Sequence, residues 1–265
     1  MILPDSQAIK FDFGDIDHDI ELMFLSDIHA GSAQHNASKW NKVKEYILDD
    51  SYRYFVIVGD VMENAIPGSK SDMFTQRLNP MEQQQWFYDQ LLDLKDRCVG
   101  VVDGNHENNR TIKTAGIYPL YDVMHDVGIS ERYRHNLMCL DLTLGHPHGT
   151  KGVHNGGGKR NHYRGVCVHV AKDQKTFTSA DIYEGIDFFA RGHDHDSWCH
   201  PRAKMVFDDK NKVLKQKDVY SIDCGSFLNW GGYSMIGGYR PQPAVVQSLI
   251  LSSRNVELSS VSKSF

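Results

Sequence analysis

Four short polar motifs place aspartate, asparagine and histidine together, and each motif comes directly after an apolar run. The motifs are Ser26-Asp27-Ile28-His29, Gly59-Asp60-Val61-Met62-Glu63-Asn64, Gly104-Asn105-His106-Glu107 and Gly192-His193-Asp194-His195. A mixed set of imidazole and carboxylate groups suits Mn, Fe, Zn or Ni better than Ca or Mg. In an extended chain, alternate residues point the same way, so His193 and His195 face one side together. If the fold brings the motifs together, they can bind transition metals.

The apolar runs before the motifs predict buried strands, because they are rich in β-branched and aromatic residues and end in polar loops. The predicted strands are Ile20 to Leu25, Tyr54 to Val58, Val99 to Val102, Leu137 to Leu144 and Asp187 to Ala190. Helices are expected between the first two strands, capped by Ser38, and between the next two, from Asn79-Pro80 through Arg97. This alternation indicates an α/β sheet. Ligands of such sheets bind beyond the carboxyl ends of the strands, which predicts one common site.

The pattern becomes more strand-like after residue 200. Apolar runs at Val219 to Ile222, Val245 to Leu251 and Val256 to Val261, with a turn at Asp208 to Lys212, predict a second, more antiparallel sheet packed on the first. The sequence shows neither an internal repeat nor an interdomain linker. We therefore predict a single domain over residues 1–265.

The composition is that of an ordinary globular protein, with 40% apolar and 24% charged residues. No run is long enough to span a membrane, and the N-terminus does not resemble a signal peptide. The five cysteines form no CxxC pair, which is typical of reduced thiols. These features predict a cytoplasmic protein that does not bind membranes.

A net charge of -5 argues against tight, non-specific nucleic-acid binding. Two local stretches are nevertheless basic, at residues 151–164 and 202–217. They could guide a polyanion to the motifs, or they could be solvated loop faces.

The order of the four motifs resembles the pattern of the calcineurin-like metallophosphoesterase family: DxH, GDxx, GNH followed by Asp or Glu, a separate histidine, and GHxH. The resemblance covers roughly residues 20 to 240. The segment from Gly225 to Pro241 is also similar, more loosely, to the exonuclease-like branch often carried by viruses and mobile elements. The resemblance implies an α/β fold in which two packed mixed β-sheets are flanked by helices, as a four-layer αββα sandwich.

The resemblance also implies two divalent transition-metal ions, with manganese expected first and iron, zinc or nickel as alternatives. The implied ligands are Asp27, His29 and His195 for one metal, Asn105 and His193 for the other, and Asp60 as the bridge. A hydroxide that bridges the metals would attack a phosphate ester in line.

The separate histidine of the family pattern has four candidates here: His146, His148, His154 and His169. His154 fits best, because the glycines around it would let the backbone approach a phosphate. His148 is second. His169 lies in an apolar stretch and is more typical of a packed residue than of a ligand.

Four further residues are predicted on the substrate side. By resemblance, His106 donates a proton to the leaving group, and Glu107 hydrogen-bonds its other ring nitrogen and keeps it charged. The alternative is that His106 packs beneath the metals. Asn64 and Arg110 could contact the substrate phosphate, although a loop arginine is often simply exposed.

The leading functional prediction is a phosphodiesterase, with a nuclease favoured and nucleic acid as the candidate partner. A phosphomonoesterase or nucleotide hydrolase is the first alternative, since the same metal centre serves all of these reactions. A catalytically silent metal-binding scaffold is the second. The intact set of Asp60, Asn105 and His106 argues against the silent scaffold.

Overall fold

The computed structural model describes residues 7–69, 71–145, 160–170, 180–232, 235, 238 and 240–265. Within these ranges the chain forms two six-stranded mixed β-sheets with helices that flank them, so the predicted fold class is confirmed. The five cysteines are free thiols, as expected. No helix among the described residues has the length and hydropathy that a membrane span requires.

The strands, in chain order, are β1 (Ile9–Asp12), β2 (Ile20–Leu25), β3 (Arg53–Val58), β4 (Cys98–Val102), β5 (Tyr133–Arg134), β6 (Leu137–Gly145), β7 (Arg160–His169), β8 (Phe188–Gly192), β9 (Ser197–Asp208), β10 (Val213–Cys224), β11 (Val245–Leu251) and β12 (Leu258–Ser264). The α-helices are α1 (Ala37–Leu48), α2 (Pro80–Leu94), α3 (Asn105–Glu107), α4 (Lys113–Ala115) and α5 (Pro119–Asp126). A π-helical turn, Asn108–Ile112, joins α3 to α4. Short 3-10 helices occupy Lys95–Arg97, Ser130–Arg132 and Ala180–Ile182.

The first sheet has the order β12-β11-β2-β3-β4-β5, and β2 to β5 run parallel. β11 and β12 were expected in the second sheet, and that prediction was wrong: β11 pairs antiparallel with β2, and β12 with β11. The physical reason lies in β2, which is almost completely buried from Ile20 to Leu25. A strand buried on both faces belongs inside a sheet, so its free edge needs a partner strand.

The second sheet has the order β1-β6-β7-β8-β10-β9. β7, β8 and β10 are parallel neighbours, so their carboxyl ends at His169, Gly192 and Cys224 lie along one edge. This edge adjoins the carboxyl ends of β2 and β3, because the His169 ring contacts Val58. The four motifs therefore converge at one end of the sandwich.

Apolar side chains of both sheets fill the space between them, with Phe24 and Val58 on one side and Leu142 and Phe188 on the other. Burying one such side chain contributes about 1.5–3 kcal/mol to folding. Helices α1, α2 and α5 cover the outer face of the first sheet. On the outer face of the second sheet, a smaller cluster includes Ala180 of a 3-10 helix.

The two long helices begin at side-chain caps. Asn36, rather than the predicted Ser38, caps α1, because its side chain accepts a hydrogen bond from the backbone of Lys39 at 2.9 Å. Asn79 caps α2 as predicted, in a reciprocal arrangement with Glu82. This helix ends at Leu94, and the 3-10 helix continues to Arg97.

Candidate metal centre

The backbone of three motifs adopts a conformation that side-chain-bearing residues avoid. Positive φ angles occur at Asp27 (52°), His29 (49°), Asp60 (49°), Asn64 (44°), His193 (97°) and His195 (61°). In the described part of the chain, the one other non-glycine residue with a positive φ is Lys212, in the β9–β10 turn. Such conformations cost on the order of 1–3 kcal/mol each and collect at functional sites. The fold therefore holds these side chains in position at a cost in stability.

Asp27 and Asp60 are buried and are held in the same manner. Asp27 Oδ2 accepts hydrogen bonds from Ser26 Oγ at 2.6 Å and from the His193 N–H at 3.0 Å. Asp60 Oδ1 accepts the His106 N–H at 2.8 Å. Protein donors thus fix one oxygen of each carboxylate, and the other oxygen faces histidines.

Histidine nitrogens surround the two free carboxylate oxygens. Asp27 Oδ1 lies 3.1 Å from His195 Nε2, 3.6 Å from His29 Nε2 and 3.8 Å from His169 Nε2. Asp60 Oδ2 lies 3.2 Å from His169 Nε2 and 4.0 Å from His29 Nε2.

Three of these buried atoms, Asp27 Oδ1, His29 Nε2 and His169 Nε2, have no hydrogen-bond partner among the described residues. A buried polar atom left unpaired costs about 1–3 kcal/mol. Bound cations would satisfy all three at once, so the donor set fits divalent transition metals.

His169 is oriented in the way expected of a metal ligand. Its Nδ1 donates to the Val58 carbonyl at 2.6 Å, so Nε2 faces the carboxylates and, once deprotonated, offers its lone pair to a metal. Two motif glycines make room for the ring: a Cβ at Gly59 would lie 2.5 Å from it, and one at Gly192 would lie 2.6 Å away. The sequence favoured His154 instead, which, like His146 and His148, lies outside the described residues.

In the part of the chain that the structure describes, three sets of side chains have ligand atoms within 4.8 Å of one another. They are Asp27 with His29 and His195, Asp60 with His169 and His193, and His29 with Asp60 and His106. The first set matches the residues predicted for one metal. The second contains the predicted bridge, one predicted ligand and His169. Asn105 adjoins this second set, since its Oδ1 accepts a hydrogen bond from His193 Nδ1 at 2.6 Å.

The carboxylates and histidines of the cluster favour each other's charged forms. Burial alone would raise the pKa of Asp27, but His169 and His195 outweigh burial and hold that pKa well below its usual range. Burial alone would lower the pKa of His169, but Asp60 and Asp27 raise it to about 10. The carboxylates therefore create a strongly negative potential that favours bound cations.

Glu63 joins the metal cluster to the substrate side, although no role was predicted for it from the sequence. Its Oε2 lies 3.0 Å from His29 Nδ1, and its Oε1 lies 3.3 Å from Arg110 Nη1. Burial opposes the charge of Glu63, but His29 outweighs burial and lowers the pKa to about 2. Glu63 thereby orients the His29 ring, as carboxylates beside metal-binding histidines do. Its place three residues after Asp60 was the available signal.

Among the described hydrogen bonds, Glu107 makes none to the His106 ring, so that prediction was wrong. Its carboxylate accepts backbone N–H groups of Asp60 at 3.2 Å, Met62 at 2.9 Å and Gly104 at 2.9 Å. These donors lie at the start of α3 and after β3, where a nearby carboxylate can satisfy several of them. Burial, with Asp60 and Asp103, raises the pKa of Glu107 to about 8. Glu107 thus fixes the loops that carry Asp60 and Asn105.

The His106 ring is held by Glu63 and Arg110 instead. Its Nδ1 lies 2.9 Å from the Glu63 carbonyl and donates to it, and its Nε2 lies 3.0 Å from Arg110 Nη2. Because guanidinium nitrogens only donate, this contact requires an unprotonated Nε2. Burial, together with His29 and Arg110, lowers the pKa of His106 to about 4, against the effect of Asp60. The expectation of a charged His106 was therefore wrong for this arrangement.

Asn64 and Arg110, the residues predicted to contact substrate, both lie beside the cluster. The Asn64 side chain donates to Thr111 Oγ1 at 3.0 Å, and its backbone N–H donates to Gln83 Oε1 at 2.9 Å. The Arg110 side chain is only 11% exposed, because Glu63 and His106 hold it. It is therefore not a freely solvated loop arginine.

The basic stretch at 202–217 lies at the opposite end of β10 from the cluster. Lys217 pairs with Asp187 at 2.8 Å, Lys204 with Asp181 at 3.4 Å, and Lys215 with Asp208. At about 3.3 Å per residue, Val213 lies roughly 35 Å from Cys224 along the strand. Of the other basic stretch, only Arg160 and Arg164 are described, and they pair with Asp12 and Asp141. The described basic residues form no continuous track to the cluster.

No protein-family model and no curated protein matches this chain. Among solved structures, it is similar to calcineurin-like phosphoesterase YfkN from Bacillus subtilis, with a TM-score of 0.40 and 11% identity over 93% of this chain and 90% of that one. It is also similar to the NAD nucleotidase NadN of Haemophilus influenzae, with a TM-score of 0.40 and 9% identity over 92% of this chain and 49% of that one. It is similar as well to Vps29 of Chaetomium thermophilum, with a TM-score of 0.37 and 10% identity over 92% of this chain and 98% of that one. Likenesses this distant assign no activity.

Proposed function

We propose that this chain is a two-metal phosphoesterase of the calcineurin-like superfamily. One observation carries the proposal: two buried aspartates each have one oxygen fixed by protein donors and the other turned toward histidine nitrogens. The motif resemblance supplies the reaction class, and the strained backbone at the same residues supports a functional role.

We assign the metal ligands as two sets that share a bridge. Asp27, His29 and His195 form one set, Asn105, His169 and His193 form the other, and Asp60 lies between them. His169 here takes the place that the sequence favoured for His154. Two divalent transition metals at these positions, manganese first among them, would neutralise phosphate oxygens and acidify a water molecule.

The chain's own residues prepare the substrate side. Glu63 anchors both His29 and Arg110, so a metal ligand and a cationic side chain are held in a fixed relation. The guanidinium of Arg110 has five N–H donors, and those not used by Glu63 and His106 can bind a phosphate oxygen or the leaving oxygen. His106 accepts from Arg110 and aims it. The predicted proton transfer from His106 is the competing role.

We propose a phosphodiester as the substrate, with nucleic acid as the candidate class. The support is the looser resemblance of residues 225–241 to exonuclease-like relatives. The paired charges of the β9–β10 hairpin give this substrate class no additional support.

The test compares bis(p-nitrophenyl) phosphate with p-nitrophenyl phosphate, using protein stripped by a chelator and then supplied with Mn or Mg. We expect no turnover after chelation, recovery that is greater with Mn than with Mg, and preference for the diester. Preference for the monoester would replace the proposed substrate class and keep the metal centre. Full activity in the stripped protein would contradict the two-metal proposal, and metal binding without turnover of either ester would indicate a silent scaffold.

A further inference from the structure

The hairpin formed by β9 and β10 carries a group of exposed apolar side chains. Met205 is 63% exposed, Phe207 52%, Leu214 63%, Val206 45% and Val213 46%. Single exposed apolar residues are ordinary, whereas a cluster of five on one ribbon usually marks an interaction surface.

The strand register sorts these side chains onto two faces. Phe207 lies opposite Leu214, and Met205 opposite Gln216, so Met205, Phe207 and Leu214 share one face. Val206 and Val213 lie on the other face. β9 ends the strand order of its sheet, so its outer edge has no strand partner within the described ranges.

We propose that this edge joins two copies of the chain, with β9 pairing antiparallel to β9 of a second copy about a two-fold axis at Val206. In this register, Met205 lies opposite Phe207 of the second copy, and Lys204 opposite Asp208, which each also pair within their own chain with Asp181 and Lys215. Opposite charges and apolar pairs across strands each stabilise pairing. By symmetry, each of these two favourable pairs occurs twice.

Neighbouring registers lack this match. Because directly opposite residues share a face, the axis must pass through a residue position. An axis at Met205 places Arg202 opposite Asp208, but it also places Lys204 opposite Val206, so a lysine faces an apolar residue, and only the small Ala203 opposite Phe207. An axis at Phe207 places Lys204 opposite Lys210 and Met205 opposite Asp209, so it opposes like charges and pairs an apolar residue with an acid. The self-complementarity therefore selects Val206.

The flanking residues set the length of the pairing. Pro201 has no N–H to donate and ends the strand partnership on one side, and the turn that begins at Asp209 ends it on the other. The seven residues from Arg202 to Asp208 remain, and the axis at Val206 pairs the five of them from Lys204 to Asp208. They form a regular edge with apolar side chains, and such an edge attracts other strands unless it is covered. A second copy covers it.

Sedimentation velocity over a concentration series tests the interface. At roughly 100 μM, where micromolar affinities populate a complex, we expect the parent chain to be a dimer. Met205→Lys places a charge opposite Phe207 and should raise the dimer dissociation constant by at least roughly tenfold. Met81→Lys is the matched control: Met81 is 76% exposed on α2, far in sequence from the hairpin, and its variant should dimerise like the parent. A monomeric parent, or a Met205→Lys variant that dimerises like the parent, would overturn the proposal.

Cysteine cross-linking tests the register. Residues opposite each other across the axis have Cβ atoms about 4.5–5.5 Å apart, close enough for a disulfide after small shifts. Mild oxidation should therefore cross-link Val206→Cys chains, while Met205→Cys chains and the parent, with its five native cysteines, should not cross-link. Cross-linking of Met205→Cys without that of Val206→Cys would overturn the proposed pairing.

Discussion

The charged residues at the two ends of β10 lie in different environments. At the carboxyl end, the carboxylates and histidines of the metal centre are buried, and several of their atoms lack hydrogen-bond partners among the described residues. At the other end, the hairpin carries more formal charge, but its lysines are paired with aspartates and lie near solvent. Exposed ion pairs contribute about 0–1 kcal/mol, whereas one unpaired buried group costs about 1–3 kcal/mol. Unsatisfied buried groups, and not the density of charge, mark where chemistry is expected.

The largest effect should follow from Asp60→Asn, because this change removes a charge that both metals are proposed to share. The loss of several kcal/mol of transition-state stabilisation should lower kcat by at least roughly 10³-fold. Asp187→Asn is the matched control, since Asp187 is also a largely buried aspartate, but it pairs with Lys217 at the other end of the sheet. Steady-state turnover of the diester measures both. Equal losses of turnover in Asp60→Asn and Asp187→Asn would contradict a special role for the carboxyl end of β10.

His169→Ala should remove one metal and lower turnover by roughly 10²-fold or more, because Nε2 is a proposed ligand atom. His162→Ala, on the same strand but exposed to solvent, should keep both metals. His154→Ala should also keep both. Metal analysis of the purified variants decides among them. A metal lost from His154→Ala and retained in His169→Ala would return the role to His154.

His106→Asn should retain both metals and lower turnover by roughly 10²-fold, because Arg110 loses the group that aims it. We expect similar losses for nitrophenyl and alkyl leaving groups, since the proposed effect acts on the phosphate through Arg110. The measurement is kcat across a series of esters with different leaving groups. A loss confined to poor leaving groups would instead support proton donation by His106.

The smallest effect is expected at the hairpin. The double change Lys215→Gln and Lys217→Gln removes two charges that are paired with Asp208 and Asp187, roughly 23–30 Å along β10 from the cluster. Turnover of a single-stranded oligonucleotide, and its dependence on salt, should change by less than about twofold. A strong loss for the oligonucleotide with no loss for the nitrophenyl diester would show that the hairpin guides polyanions.

The sequence predicted the strands before the motifs to within about two residues, since buried parallel strands leave continuous apolar runs. It could not place β11 and β12, because an apolar run predicts a strand without showing which sheet that strand joins. The predicted αβ alternation also brought the right motifs to one edge.

The finer contacts of the site depended on tertiary structure. The stretch around His169 is typical of a packed strand, and its role appears only when β7 is placed beside β3. Glu107 has the right residue type to hold His106, but three backbone N–H groups reach its carboxylate instead. Glu63 stands within a recognised motif, but its contacts with His29 and Arg110 join residues that are distant in sequence.

The proposed function requires that the buried cluster hold a pair of metal ions. The most direct test is the metal content of the purified chain after reconstitution with Mn, measured by inductively coupled plasma mass spectrometry, beside that of Asp60→Asn and Asp187→Asn. We predict two Mn per chain for the parent and for Asp187→Asn, and fewer than one for Asp60→Asn. A parent that binds no Mn, or an Asp60→Asn variant that keeps two, would contradict the claim.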